Sequence, residues 1–215
     1  MTRPLSSARK PARRIRWLLA IGLIVVIAAI AEVLDHQEAG HSSLSPALPF
    51  ASPSKMLRGE HRGARGEAVG AVPDGATVFD DAIPAVANLD PDLLRALRQA
   101  AKDAAEDRVS FYVNSGWRSP EYQDQLLREA VSKYGSKAEA ARWVATAETS
   151  PHVSGKAVDI GHTDATAWLS EHGAAYGLCQ IYRNEPWHYE LRSEAIDHGC
   201  PRTYADPTQD PRMQQ

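Results

Sequence analysis

Apolar residues recur along this chain with a changing period, and each change marks an element. After Asp90 the residues Leu93, Leu94, Leu97, Ala100, Ala101 and Ala104 share one helical face. Asp90 supplies an N-cap and Pro91 takes the first helical position, where a missing N–H costs nothing. The period drops to two over 109–114, where Phe111 and Val113 point to one side, and this predicts a strand running into Ser115-Gly116-Trp117-Arg118-Ser119. Helical spacing returns after Ser119-Pro120 with Leu126, Leu127, Ala130 and Val131, and Ser136 with Glu139 has the capping-box spacing for a shorter helix through Trp143. Residues 156–160 predict a short strand, and 163–172 a helix that Gly173 can terminate. Two further strands, 180–182 and 187–191, are joined by a turn at Arg183-Asn184-Glu185-Pro186. Helices and short strands without regular β-α-β alternation predict an α+β fold, a single compact domain with a small antiparallel sheet flanked by helices.

The N-terminal pattern is of another kind. Trp17 to Ala31 is a run of 15 uncharged, mostly aliphatic residues, preceded by Arg3, Arg9, Lys10, Arg13, Arg14 and Arg16 with no acid among them. That order is the one used by export signals. The run falls short of the roughly 20 residues of a spanning helix, and Ala29-Ile30-Ala31 fits a cleavage site, so a cleaved signal and a retained signal-anchor both remain open. In either case the residues after Glu32 are expected outside the cytoplasmic membrane, released or anchored to it. The predicted organisation is 1–34 as signal or anchor, 35–76 as a Pro/Ser/Gly-rich linker without periodicity, 77–200 as the folded domain, and 201–215 as a tail wrapping the surface. Ser52 and Lys55 have the spacing of a penicillin-binding serine peptidase motif. Pro53 between them and the absence of Ser-Asp-Asn or Lys-Thr-Gly downstream argue against it.

Charge and cysteine content narrow the chemistry. Six of the 24 Lys and Arg precede Trp17, so the remaining 18 face 27 Asp and Glu, a net of −9. A body this acidic is a poor nucleic-acid binder. The only cysteines, Cys179 and Cys200, form one disulfide or stay two separate buried thiols, and export favours the first.

The candidate chemistry lies in Ser150-Pro151-His152-Val153-Ser154-Gly155-Lys156-Ala157-Val158-Asp159 and in Glu185-Pro186-Trp187-His188. Two imidazoles and a carboxylate, His152, His188 and Asp159, suit a zinc ion that keeps one position open for water. Glu185, three residues before His188 at a turn, is the candidate base for that water. Arg118, between a strand and a helix, can hold a guanidinium beside a scissile carbonyl or a substrate carboxylate. His162, His172 and His198 fit no ligand spacing, and His36, His41 and His61 fall in the linker.

At these residues the chain resembles the bacterial D-alanyl-D-alanine metallocarboxypeptidases related to the vancomycin-resistance peptidases. The signature Ser-x-His-x-x-Gly-x-Ala-x-Asp followed by Glu-x-x-His is met by Ser150, His152, Gly155, Ala157, Asp159, Glu185 and His188. Ser115-Gly116-Trp117-Arg118-Ser119 is similar to a further family element, and the likeness extends roughly from Thr77 to Leu191. The resemblance implies a zinc peptidase trimming peptidoglycan stem peptides, with His152, Asp159 and His188 as ligands, Glu185 as base and Arg118 stabilising the intermediate. By the same analogy Ser150 and Gln123 hold the substrate's terminal carboxylate or amide. An external address favours a Cys179–Cys200 disulfide, and a monomer is expected. Two other readings stay open on the sequence: an endopeptidase of the same fold acting on an L-Ala-D-Glu bond, and a zinc-containing cell-wall binding module without turnover, against which Glu185 argues.

Overall fold

The structure, a computed structural model, describes residues 64–214. The basic N-terminus, the Trp17–Ala31 run and the Ser52–Lys55 spacing lie outside the described residues. Among the described residues no helix is long and apolar enough to cross a membrane.

The architecture is α+β. Helices α1 (Ala64–Ala68), α2 (Pro84–Ala87) and α3 (Pro91–Glu106) precede strand β1 (Tyr112–Ser115). Helices α4 (Pro120–Tyr134) and α5 (Lys137–Ala140) lead to β2 (Ala157–Gly161) and α6 (Thr163–His172), then β3 (Leu178–Gln180), β4 (His188–Leu191) and α7 (Ala195–His198). The strands form one antiparallel sheet in the order β1-β2-β4-β3.

Helix α3 forms as its pattern dictates: the Asp90 carboxylate accepts from the N–H groups of Asp92 and Leu93, and Leu93, Leu97, Ala100, Ala101 and Ala104 are buried. They share a core with Val113, Val158, Ile160, Leu178 and Tyr189 from the sheet. Alternation along β2 and β4 then turns Asp159, His188 and Glu190 to the opposite face. A second cluster packs Tyr122, Leu126 and Ala130 of α4 against Ala140 and Val144. The helix expected through Trp143 stops at Ala140 and continues as turns.

Two boundaries differ from the sequence expectation. Residues 64–76, read there as the end of the linker, belong to the fold: α1 lies here, Val72 and Ala76 are buried in the core, and Val69 O accepts from Ser119 N at 2.9 Å. Gly70, at φ +108°, lies against the backbone of Trp117 and Arg118, and an added Cβ would meet Trp117 O at 2.4 Å. This segment docks by backbone contact and a few isolated side chains, which leaves no periodicity to read. The tail, 201–214, is likewise part of the domain. Tyr204 bridges to Tyr182, Arg183 N donates to Tyr204 O at 2.9 Å, and Asp206 and Asp210 are buried.

Cys179 and Cys200 are joined by a disulfide across 21 residues, with Cα atoms 5.5 Å apart. The loop they close contains Glu185, His188 and Glu190, and the bond anchors the chain just before the tail pairs with 182–184. Closing a loop of this length contributes about 3 kcal/mol by chain entropy. The Cys179→Ser, Cys200→Ser double variant is therefore expected to lose about 3 kcal/mol in urea unfolding relative to the oxidised protein, and a change under 1 kcal/mol would contradict this account.

Candidate metal centre and active site

The site is assembled by strand register. Asp159 on β2 lies directly opposite His188 on β4, and Ala157 lies opposite Glu190. Directly paired residues project to the same face, so the carboxylate and the imidazole are neighbours. On the other edge of β2 the register shifts between Val113 and Ser115, so that Ser115 rather than Asn114 stands opposite Asp159. The shift brings Ser115 to the Asp159 face, where its hydroxyl accepts from Arg118 Nε at 2.8 Å.

His152 reaches the same point from a loop. Its Nδ1 donates to Gly116 O at 2.8 Å, and its Nε2 faces Asp159 Oδ1 at 3.5 Å. His188 is oriented the other way round: Nδ1 faces Asp159 Oδ1 at 3.2 Å, and Nε2 faces Glu190 Oε1 at 3.4 Å. Each ring thus has one nitrogen taken by a supporting acceptor and the other turned to a common point. Ligand atoms of His152, Asp159 and His188 all lie within 4.8 Å of one another, and all three residues are buried. The loop carrying His152 is held by Gly155, at φ +71°, whose carbonyl accepts from Asp90 N at 2.8 Å. A Cβ at Gly155 would meet Asn88 O at 2.5 Å, so only glycine permits this approach to the α3 N-terminus.

Glu185 closes the site from the turn before β4. Its Oε2 is 3.7 Å from His188 Nδ1, and its buried Oε1 has no hydrogen-bond partner among the described residues. Burial pushes its carboxyl up to about 8, with the Asp159 and Asp206 charges adding to the effect and His188 and Arg118 opposing it. Burial would raise Asp159 too, but His152, His188 and Arg118 outweigh it and hold this carboxylate well below its ordinary range. Burial and Arg118 together lower His152 to about 4. Burial works against the charged form of His188 as well, yet its contacts with Asp159 and Glu190 raise it to about 10.

Arg118 is fixed at every nitrogen: Nε to Ser115, one terminal nitrogen to Gln123 Oε1 at 3.0 Å, the other to Asp159 Oδ2 at 3.2 Å. Gln123 is 1% exposed, and its Nε2 donates to Ala145 O at 2.8 Å. In this structure Gln123 therefore positions Arg118, with both ends of its amide engaged inside the protein. Ser150 is buried at the pocket edge beside Pro151 and His152. The pocket is further walled by Tyr182, Trp187, Pro207 and Met213. His162 immediately precedes α6 and stacks on Tyr112, and His172 packs near Trp168; neither belongs to the cluster.

The sequence of the chain fits one family over this region. The family model described as VanY, D-alanyl-D-alanine carboxypeptidase, matches residues 86–193. The chain belongs to this family. A D-alanyl-D-alanine carboxypeptidase of Enterococcus faecalis is 36% identical over 113 residues, which is 40% of this chain and 42% of that protein. The chain thus matches less than half the length of this curated relative. Among solved structures, a vancomycin resistance D,D-pentapeptidase VanY from a VanB-type cassette in complex with Zn(II) is 29% identical, covering 52% of this chain and 75% of its own at a TM-score of 0.47. The L,D-carboxypeptidase DacB of Streptococcus pneumoniae is similar at 29% identity, over 52% of this chain and 71% of its own, with a TM-score of 0.44.

The donor set suits the metal read from the sequence. Two imidazole nitrogens and one carboxylate oxygen, with a buried acid bearing an unpartnered oxygen beside them, match a zinc site that leaves a coordination position free. Some supporting residues were not read from the sequence. Glu190 could have been, since it follows His188 by two on a strand and must share its face. Arg212, Asp210 and Asp206 lie among Pro, Asp and Gln in the tail and give no sequence signal.

Proposed function

We propose that this VanY-family chain is a zinc D,D-carboxypeptidase that removes the terminal D-Ala from peptidoglycan stem peptides outside the cytoplasmic membrane. The observation that carries the reading is the convergence of His152, Asp159 and His188 on one point, with the Glu185 carboxyl, whose Oε1 has no hydrogen-bond partner among the described residues, and the fixed Arg118 guanidinium beside them. Family membership supports the reaction class, and the basic, apolar N-terminal order together with the disulfide supports the external location.

His152 Nε2, Asp159 Oδ1 and His188 Nδ1 would hold zinc, which when bound lowers the pKa of a coordinated water towards ~7 and polarises the scissile carbonyl. Glu185 is placed to take the proton from the attacking water and deliver it to the leaving amine. Its raised carboxyl, about 8 in the metal-free chain, makes it a base that can also act as an acid near neutral pH. Arg118, already anchored by Ser115 and Gln123, presents a positive charge that needs no rearrangement to stabilise the developing oxyanion. Ser150, at the pocket edge, would meet the substrate's terminal carboxylate.

The test is product analysis on defined stem peptides with added zinc. Release of D-Ala from the pentapeptide is the expected result. Loss of the terminal residue from the tetrapeptide alone would make the enzyme an L,D-carboxypeptidase, and cleavage between L-Ala and D-Glu would make it an endopeptidase. Zinc binding with no cleavage of any of them would leave a cell-wall binding module.

A further inference from the structure

We propose that Arg212, in the C-terminal segment beyond the region matched by the family, is a positioning residue of the metal centre: it fixes the Glu190 carboxylate that orients the His188 ring. The inference rests on the reading of His188 as a metal ligand.

The geometry runs outward from His188 in two directions. Its Nε2 faces Glu190 Oε1 at 3.4 Å, and Glu190 is 1% exposed. A carboxylate buried this far needs compensating cations, and it has two. Arg192, its neighbour on the chain, donates to Oε2 at 2.8 Å. Arg212 donates to both oxygens, at 2.7 Å to Oε2 and 3.2 Å to Oε1, so of the two arginines it is the one that constrains the plane of the carboxylate as well as its position. Arg212 is in turn held by Asp210, whose oxygens accept from its Nε at 3.0 Å. Asp210 is fully buried and also accepts from the Tyr182 hydroxyl at 3.1 Å. The Tyr182 ring lies against the His188 ring, with centroids 5.1 Å apart. The tail therefore reaches the same imidazole by two routes, an ionic one through Glu190 and a packing one through Tyr182.

A purely structural role is the alternative, in which Arg212 merely ties the tail to the domain. Its side chain is 40% exposed, but it compensates the buried Glu190 and Asp210 carboxylates, so either role predicts some loss of stability when it is removed. The two roles differ in what they move. A tether changes only the stability of the metal-free chain, whereas an orienting group also changes zinc affinity and kcat in the folded protein. Groups that support metal ligands in this way are typically worth 10–100-fold in affinity or activity.

The experiment titrates the full chain with zinc and follows hydrolysis of the stem pentapeptide in the wild type, Arg212→Ala, Arg212→Lys and Glu190→Gln. The expected result is a 10–100-fold weaker zinc Kd for Arg212→Ala, with kcat falling more than KM rises. Arg212→Lys should recover part of both, because an ammonium supplies the charge without the planar fork. Combined with Glu190→Gln, Arg212→Ala should add little further loss of zinc affinity. Zinc Kd and kcat within two-fold of wild type in Arg212→Ala would overturn the inference, as would a lower Tm of the metal-free protein with unchanged zinc affinity. Should Arg212→Ala fail to fold, the same two-fold criterion applied to Arg212→Lys overturns it. A wild-type chain that bound no zinc would overturn the underlying functional reading as well, and that control is separate from the variants.

Discussion

Glu185→Gln is expected to lower kcat by about 10²–10⁴-fold, the range contributed by a positioned general acid–base group, with zinc still bound at one equivalent. The amide keeps the shape of the side chain and cannot take a proton. Metal analysis of the purified variant alongside D-Ala release separates loss of the base from loss of the metal, and an unchanged rate would remove Glu185 from the mechanism. The same substitution has a consequence for stability without metal. The Glu185 carboxyl is raised from its ordinary 4.5 to about 8 in the folded chain, so the folded state binds more protons than the unfolded state between these values. The Glu185 contribution to the stability of the metal-free protein is therefore lost as pH rises through this window, against the opposite contribution of the lowered His152 between about 4 and 6.5, and Glu185→Gln should remove that loss. Urea unfolding at pH 5 and pH 8 reads this directly. A wild-type minus variant stability difference that does not fall between pH 5 and pH 8 would contradict the burial argument.

Removing a ligand is the second large effect. His152→Ala or Asp159→Asn should reduce hydrolysis to background and abolish stoichiometric zinc binding, because the first removes one of the three converging donors and the second replaces the anionic oxygen with a weakly coordinating amide. Asp159 has a further role that raises the cost of losing its charge: it accepts from Arg118 at 3.2 Å and faces both imidazoles. In the wild type, zinc at about 1,000 times its Kd should stabilise folding by about 4 kcal/mol, seen as a zinc-dependent rise in Tm. In His152→Ala that rise should vanish while the metal-free protein still unfolds cooperatively. A zinc-dependent Tm shift retained by both variants would place the metal elsewhere.

Much of the scaffold was legible because it is periodic. The apolar face of 93–104, the caps at Asp90 and Ser119, the alternation over 109–114 and the four short strands correspond to α3, α4 and the sheet, with ends moved by at most three residues. The segments that were misplaced, 64–76 and 201–214, lack periodicity. They are held by single contacts such as Val69 O to Ser119, the tight approach of Gly70 to Trp117, and the Asp206 and Asp210 carboxylates. A Pro- and Gly-rich composition reads as linker whether or not a neighbouring surface is shaped to receive it.

The site divides in the same way. The chemical identities and local spacings of His152, Asp159, Glu185 and His188 were set by the sequence alone, because imidazole and carboxylate have few other joint uses at that spacing, and so was the pair of cysteines. Only the tertiary structure decided which nitrogen of each His faces inward, since that depends on a carbonyl at Gly116 and a carboxylate at Glu190. It also decided that Gln123 holds Arg118, and that the tail reaches His188 through Arg212. The physical reason is range. Spacing and composition act over a few residues along the chain, whereas hydrogen-bond direction and carboxylate burial are set by strand register and by groups tens of residues away.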